Sequence, residues 1–470
     1  MELKRRDINA LCDRLISAER RFADDEDGTV TIFACFMIAI MVLVGGIGVD
    51  MVRHEMERTQ MQATADRAVL AAADLDQTLD PEAVVRDYFA KSGMPDYISS
   101  VTVDEGLNYR TVSVDATNTI STQFMDLMGV PTLNVPAFAQ AEEKVNKVEI
   151  SLVLDISGSM GRNSRIQNLR PAAKEFVNTV LKPESEDLIS LSIVPYSAHV
   201  NAGPEIMNRM NMNIDHNYSH CVEFDDDQFE TTTIDWNNTY DQMQHFARWN
   251  PGYNDLDETV CPRFSYERIT ALSQDRDALN AQIDNLQPRA NTSIFLGMKW
   301  ASILLDPSFN DIAVDMADND LIDDVFADRP ASYNDIETFK TVILMTDGVN
   351  VATDRIQPWY YNSNSEIVHW SRYNAGWYVD NYVSWRYRNN FFFQKYSASK
   401  GDTLLSNVCD AAKAQNIVIW SIGFEVNDHG ANVMRNCASS PSHFFRVEGI
   451  EISEAFKAIA RQINQLRLTL

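Results

Sequence analysis

Basic charge is scarce in this chain: 40 Lys and Arg stand against 67 Asp and Glu, a formal net charge of −27. Nucleic acid is excluded as a partner, because phosphate neutralisation needs a basic surface. A polybasic membrane-surface binder is excluded on the same ground. Catalytic signatures are missing too. There is no Gly-x-Ser-x-Gly, no His-Glu-x-x-His and no P-loop. The eight histidines are scattered, and none is read as a paired metal ligand. A non-enzymatic protein is expected. Cysteine is sparse, at six in 470 residues, and no Cys-x-x-Cys motif points to zinc or redox chemistry.

Long apolar runs are absent except for one. Residues 30–49, VTIFACFMIAIMVLVGGIGV, carry no charge. That is the length a helix needs to cross a bilayer core. The run is too long for a signal-peptide core, and no small-x-small site follows closely. Lys4, Arg5, Arg6, Arg14, Arg20 and Arg21 precede it; Arg53, Arg58 and Arg67 follow it. The excess before the span predicts a cytoplasmic N-terminal segment, residues 1–29, and export of the rest. Cys221, Cys261, Cys409 and Cys437 all lie in that exported part, and an even count there fits an oxidising compartment. Proximity suggests Cys221–Cys261 and Cys409–Cys437, although four cysteines allow three connectivities.

After the span, residues 51–75 are rich in helix formers and lack Gly and Pro, so the membrane helix should continue outward. Residues 50–145 then combine this extension with a small α+β region. Its strands are read at Val101–Asp104 and Thr111–Asp115, with a short helix at 122–129. Residues 146–470 read as a doubly wound, mostly parallel α/β domain. Strands are expected at Val148–Leu154, Leu188–Val194, Thr341–Met345 and Ile417–Ile422; helices at 165–181, 275–286, 294–305, 402–415 and 451–466. Ile452, Phe456, Ile459, Ile463 and Leu466 form one apolar stripe, which is core packing.

Asp27-Gly-Thr-Val-Thr-Ile-Phe, then the span, Gly48-Val-Asp50 and Gln62-Ala-Thr-Ala-Asp-Arg-Ala-Val-Leu-Ala-Ala-Ala together resemble the N-terminal segment of TadE/TadG-like proteins of tight-adherence (Flp-type) pili. Cleaved pseudopilins of that system carry a Glu five residues after the processing Gly. Here that residue is Phe33, so the TadG-like likeness implies an uncleaved anchor.

Three pieces carry the chemistry: Asp155-Ile-Ser157-Gly-Ser159 after one strand, Thr292 before a helix, and Thr346-Asp347-Gly348 after another strand. Each falls at the carboxyl end of a strand or beside it, where open α/β sheets bind ligands. Hydroxyl and carboxylate oxygens suit hard cations, Mg2+ first, with Ca2+ or Mn2+ as alternatives. Gly158 is expected to let the loop turn closely. The competing reading is helix capping for Ser157 and Ser159 and a turn role for Asp347.

The combination resembles the metal-ion-dependent adhesion site of von Willebrand factor A domains, over about residues 146–466. That likeness implies direct ligation by Ser157 and Ser159, ligation by Thr292 in at least one state, and direct or water-mediated roles for Asp155 and Asp347. It also implies an open position that a partner's acidic residue fills. Where the family often has Gly-Gly before the Thr, this chain has Ala290-Asn291, which implies a stiffer loop or a contribution from Ser293.

Two insertions enlarge the domain, at about 200–275 and 351–400. The first reads as a disulfide-stapled surface excursion. The second, with Trp359, Trp370, Trp377, Trp385 and Phe391-Phe-Phe, reads equally as a binding surface or as a subdomain with its own aromatic core. Cys409, Ile422-Gly-Phe, Cys437-Ala-Ser and Phe444-Phe again resemble TadG-like proteins, which implies a Cys409–Cys437 pair pinning a late helix to the loop after the last main strand. The expected role is metal-bridged binding of envelope or pilus-assembly proteins from the inner membrane, with the domain in the periplasm. The alternative is a membrane-anchored chaperone or sensor unconnected with pili.

Overall fold

The computed structural model describes residue 17 and residues 27–75, 77, 79–105, 109–144 and 146–469. The basic residues expected to set orientation, Lys4 to Arg21, lie outside the described residues. The chain divides into two compact units, Met1–Lys144 and Val145–Leu470.

In the first unit, helix α1 (Asp27–Ala73) runs unbroken, and its apolar stretch is long enough to cross a membrane. Beyond that stretch one face becomes a packing surface. Met61, Ala65, Ala68, Val69 and Ala72 follow one another at helical spacing, all buried. Small side chains there let α1 lie close to an antiparallel sheet ordered β1-β2-β3, built from β1 (Ile98–Glu105), β2 (Tyr109–Ser121) and β3 (Thr132–Lys144). Helix α2 (Pro81–Lys91) adds Val85 and Phe89, and Asp80 caps its start through Ala83 N. Strand β3 was not foreseen. Its inward positions include Ala137 and Ala139 and it contains Pro136, which weakens the alternating signal that marks a strand.

The second unit is an α/β domain with a six-stranded main sheet. Its elements run β4 (Lys147–Asp155), α3 (Arg165–Val180), β5 (Ile189–Tyr196), α4 (Gly203–Met207), β6 (Met212–Asn213), β7 (Val222–Glu223), β8 (Tyr240–Gln242), β9 (Thr270–Ser273), α5 (Arg276–Asn285), α6 (Ile294–Ile303), α7 (Asn310–Ala317) and β10 (Thr338–Thr346). They continue with β11 (Thr353–Ile356), α8 (Asn364–Trp370), α9 (Ala375–Tyr382), α10 (Trp385–Arg388), β12 (Phe392–Tyr396), α11 (Ala398–Ala414), β13 (Val418–Phe424), α12 (Asp428–Cys437), β14 (Phe444–Val447) and α13 (Glu451–Thr469). The main sheet is ordered β14-β13-β10-β4-β5-β9. Every pairing in it is parallel except β5 with β9 at one edge.

Strand β5 is buried at every residue, and so is β4 after Lys147, as expected of central strands covered on both faces. Helices α3 and α13 pack together, with Phe176 against Phe456 at 5.8 Å. Ile452, Phe456, Ile459 and Ile463 are all fully buried; the Leu466 side chain lies outside the described residues. Helix α6 is buried all round, including the charged Lys299.

The two insertions are not separate excursions. Met243, Phe246 and Cys261 of the first share one core with Ile356, Trp370, Ala375 and Phe391 of the second. Burial of the aromatic rings joins them into one subdomain, while Trp359, Tyr382, Trp385 and Tyr387 remain exposed. Cys221 bonds to Cys261 inside this core, with Cα atoms 5.9 Å apart. Cys409 bonds to Cys437, 5.2 Å between Cα atoms. The second bridge ties helix α11 to the end of α12, where the expectation had placed one end in a loop.

Candidate metal centre

Strand β4 has β5 on one side and β10 on the other, so the chain reverses direction across the sheet at the β4/β10 boundary. At such a switch point the connections leave in opposite directions and open a crevice beyond the strand ends. Asp155 ends β4, and Asp347 follows Thr346 at the end of β10.

The structure brings four of the five expected residues into one hydrogen-bonded cluster. Ser159 Oγ donates to Asp347 Oδ1 at 2.6 Å, and the Ser157 and Ser159 hydroxyls are 3.0 Å apart. Asp155 sits beneath them. Its Oδ1 accepts from Ser157 N at 2.7 Å; its Oδ2 accepts from Thr346 Oγ1 at 2.8 Å and from Tyr196 Oη at 3.3 Å. Ser157 makes no side-chain capping bond, so its hydroxyl is not occupied by a helix start. Gly158 is needed for close approach rather than for a special turn: its N–H donates to the Ala290 carbonyl at 2.9 Å, and a Cβ there would lie 3.0 Å from that oxygen.

Thr292, the fifth residue, is buried one step before the cap of α6, and its carbonyl accepts from Val351 N at 2.9 Å. Among the described residues no hydrogen bond joins its hydroxyl to the other four. The Ser293 hydroxyl donates to the Ala198 carbonyl at 3.0 Å. Ala290 adopts φ of 57°, a left-handed conformation that suits glycine. Its N–H is held by Glu258 Oε2 at 2.8 Å, so a carboxylate of the first insertion braces the Thr292 loop.

The sequence reading missed Arg165 and Glu425. Arg165 Nη1 donates to Asp347 Oδ2 at 2.7 Å, and its Nε donates to Glu425 Oε2 at 2.8 Å. The turn that delivers it is left-handed at both Asn163 and Ser164. Glu425 lies far away in sequence, and only the adjacency of β10 and β13 could have signalled it. The sequence reading also passed over the four-residue spacing of His216 and His220. His216 is engaged, with Nε2 3.1 Å from the Met243 carbonyl and Nδ1 3.1 Å from Gln242 Nε2. No group of three His, Cys, Asp or Glu that could hold a metal occurs among the described residues.

Electrostatically the cluster holds more negative charge than its burial tolerates. Burial, compounded by the charge of Asp347, pushes the Asp155 carboxyl up to about 7. Burial also raises Asp347, against the bonds from Ser159 and Arg165. Burial alone would raise Glu425 as well, but bonds from Arg165 and Asn163 hold it below the usual carboxylate range. An all-oxygen set with two buried carboxylates fits a hard divalent cation. Such an ion, when bound, would supply a positive centre able to accept one further carboxylate.

Residues 28–75 match the family model described as putative Flp pilus-assembly TadE/G-like. The matched segment covers the apolar helix and its outward extension, and lies wholly within the first unit. No curated protein matches it. Among solved structures it is similar to the vWF domain of the type V pili tip protein Mfa5 from Porphyromonas gingivalis, at 14% identity over 69% of this chain and 97% of that one, TM-score 0.36. It is similar to the pilus adhesin SpaC from Lactobacillus rhamnosus GG, at 12% identity over 79% of this chain and 34% of that one, TM-score 0.35. It is also similar to proximal thread matrix protein 1 from the mussel byssus, whose structure has a zinc-occupied MIDAS motif, at 13% identity over 67% of this chain and 46% of that one, TM-score 0.29.

Proposed function

We propose that this chain is a non-enzymatic, membrane-anchored protein of the bacterial envelope that binds partners through a divalent cation in Flp/Tad-type pilus assembly or adhesion. Asp155, Ser157, Ser159, Thr292 and Asp347 hold the cation, Mg2+ in preference to Ca2+ or Mn2+. The partner is an envelope or pilus-assembly protein that presents an acidic side chain. Residues 30–49 span the inner membrane with the N-terminus in the cytoplasm, and the α/β domain lies in the periplasm. The two disulfides support that placement, because such bonds persist in oxidising compartments.

The observation that carries the reading is the convergence of Ser157, Ser159 and Asp347 oxygens over buried Asp155 at the switch point of the sheet. The contribution of this chain is positioning. Asp155 fixes the Ser157 backbone, Thr346 and Tyr196 fix Asp155, and Ser159 meets Asp347 from across the crevice.

The test is Mg2+ titration by calorimetry on the detergent-solubilised chain, comparing wild type with Asp155→Ala and Asp347→Ala. Binding by wild type and loss in both folded variants is expected. A wild type that takes up no Mg2+, Ca2+ or Mn2+ would overturn the proposal. A membrane-anchored chaperone or sensor with the same metal centre is separated from the pilus role by pull-down with pilin and assembly components, with and without chelator.

A further inference from the structure

We propose that the turn joining β2 to β3, residues 122–131, is a second membrane-seated element that docks on α1 and inserts its apolar tip into the bilayer interface. It rests on the assignment of residues 30–49 as the span. The inference starts from where the turn is fastened. Asp50 is the first charged residue after the apolar run, yet it is only 2% exposed. Its carboxylate accepts the backbone N–H groups of Gln123 at 3.0 Å, Phe124 at 2.8 Å and Met125 at 2.9 Å. An acidic side chain at the start of the Met125–Met128 helical turn satisfies its orphan donors.

One helical turn earlier, Gly46 is buried, and any Cβ there would overlap the Phe124 ring. The turn therefore grips α1 on both sides of the end of the apolar run. Gly46 lies three residues before Val49, about 4.5 Å along the axis at 1.5 Å per residue. That depth is at the boundary between hydrocarbon and headgroups if 30–49 fills the bilayer core.

The turn is closed and specific in shape. Gly129, at φ of 83°, donates to the Asp126 carbonyl at 2.9 Å; Val130 N donates to the Met125 carbonyl at 3.1 Å; Thr122 N donates to the Pro131 carbonyl at 3.0 Å. What it presents outward is apolar: Leu127 is 76% exposed, Met128 58% and Val130 37%. Asp126 is its one charge, suited to the headgroup layer. A fixed apolar tip beside a membrane helix, at the level where that helix leaves the hydrocarbon, has a lipid surface as its natural cover. Two points of contact would also set the tilt and rotation of α1, which a single helix leaves undetermined.

The test uses the full chain in vesicles of phosphatidylethanolamine and phosphatidylglycerol, 3:1 by design on the order of inner-membrane charge. Cys12 and Cys35 are replaced by Ser, and an environment-sensitive dye is attached through Leu127→Cys, Val42→Cys or Lys91→Cys in turn. The expected result is blue-shifted emission at 127, quenched by headgroup-proximal nitroxide lipid and protected from aqueous iodide. Position 42 should respond to deep nitroxide lipid, and position 91 to iodide alone. Iodide quenching at 127 with 42 in lipid overturns the proposal. So does a blue shift at 127 without nitroxide quenching, which would mean cover by protein. A probe at 42 that reports water sinks the span assignment itself, and that outcome is distinct from either.

Discussion

In the proposed cation site Arg165 occupies the place of a built-in counter-cation, and its removal should tighten metal binding while weakening the metal-free fold. The guanidinium is 2.7 Å from Asp347 Oδ2, and Asp347 has no side-chain exposure. Two unit charges with centres about 4 Å apart attract by about 4 kcal/mol at an effective dielectric near 20. Arg165 is 14% exposed and shared with Glu425, so roughly half of that, about 2 kcal/mol, is a fair net value to compete against. Since 1.4 kcal/mol is tenfold, Arg165→Met should bind Mg2+ on the order of 10- to 30-fold more tightly than wild type. Without metal, Asp347 and Glu425 lose their partner, and the variant should unfold at lower denaturant by about 2 kcal/mol. Adding Mg2+ should then raise its melting temperature by more than it raises that of wild type. Calorimetric titration and paired melts with and without chelator supply both readings. Equal or weaker Mg2+ binding by a folded Arg165→Met would refute the competition argument and make Arg165 an ordinary structural ion pair.

Four other outcomes are expected. Ala290→Gly relieves a left-handed alanine and should stabilise the domain by about 0.5–1 kcal/mol, read from the denaturant midpoint; a loss of stability would show that the Glu258 contact already absorbs the strain. Lys299 is fully buried against the Thr231 carbonyl at 2.8 Å, and burial lowers its pKa to about 7. The folded state thus gives up this proton before the unfolded state does, so stability should rise from pH 7 towards 10, by up to about 1.4 kcal/mol per unit, and Lys299→Met should flatten the rise. Replacing Cys221 and Cys261 by Ser opens a bridge of sequence separation 40 and should cost about 4 kcal/mol on the chain-entropy estimate, seen as an earlier melt. Glu149→Gln leaves Lys340, 2.7 Å away and nearly unexposed, without its counter-charge and should destabilise by about 3 kcal/mol, with partial recovery in the Glu149→Gln/Lys340→Met double variant.

What could be read in the sequence was what local pattern encodes. The runs that became β4, β5, β10 and β13 are rich in Val, Ile and Leu and are buried at nearly every position, because central parallel strands are covered on both faces, although Glu149, Ser151, Ser190 and Ser192 interrupt the apolar pattern. The Asp155, Ser159 and Asp347 positions followed from those strands, since residues after a buried strand must emerge at its carboxyl edge. Signals that depend on long-range pairing were lost. Edge strands β9 and β14 are only four residues long, too short for periodicity to show. The common core of the two insertions joins Cys261 to Phe391, and neither segment alone reveals that its aromatic residues have a partner.

Arg165 is the instructive case. Read locally, it is the first residue of an amphipathic helix, where a cation opposes the helix dipole and is slightly unfavourable. That local cost is offset only because Asp347 and Glu425, which belong to two other strand ends, reach the same point. A residue that breaks a local rule marks a place where tertiary electrostatics has overruled it. Here the place is the rim of the proposed cation site, so the charge balance of that site includes a residue that no short motif contains.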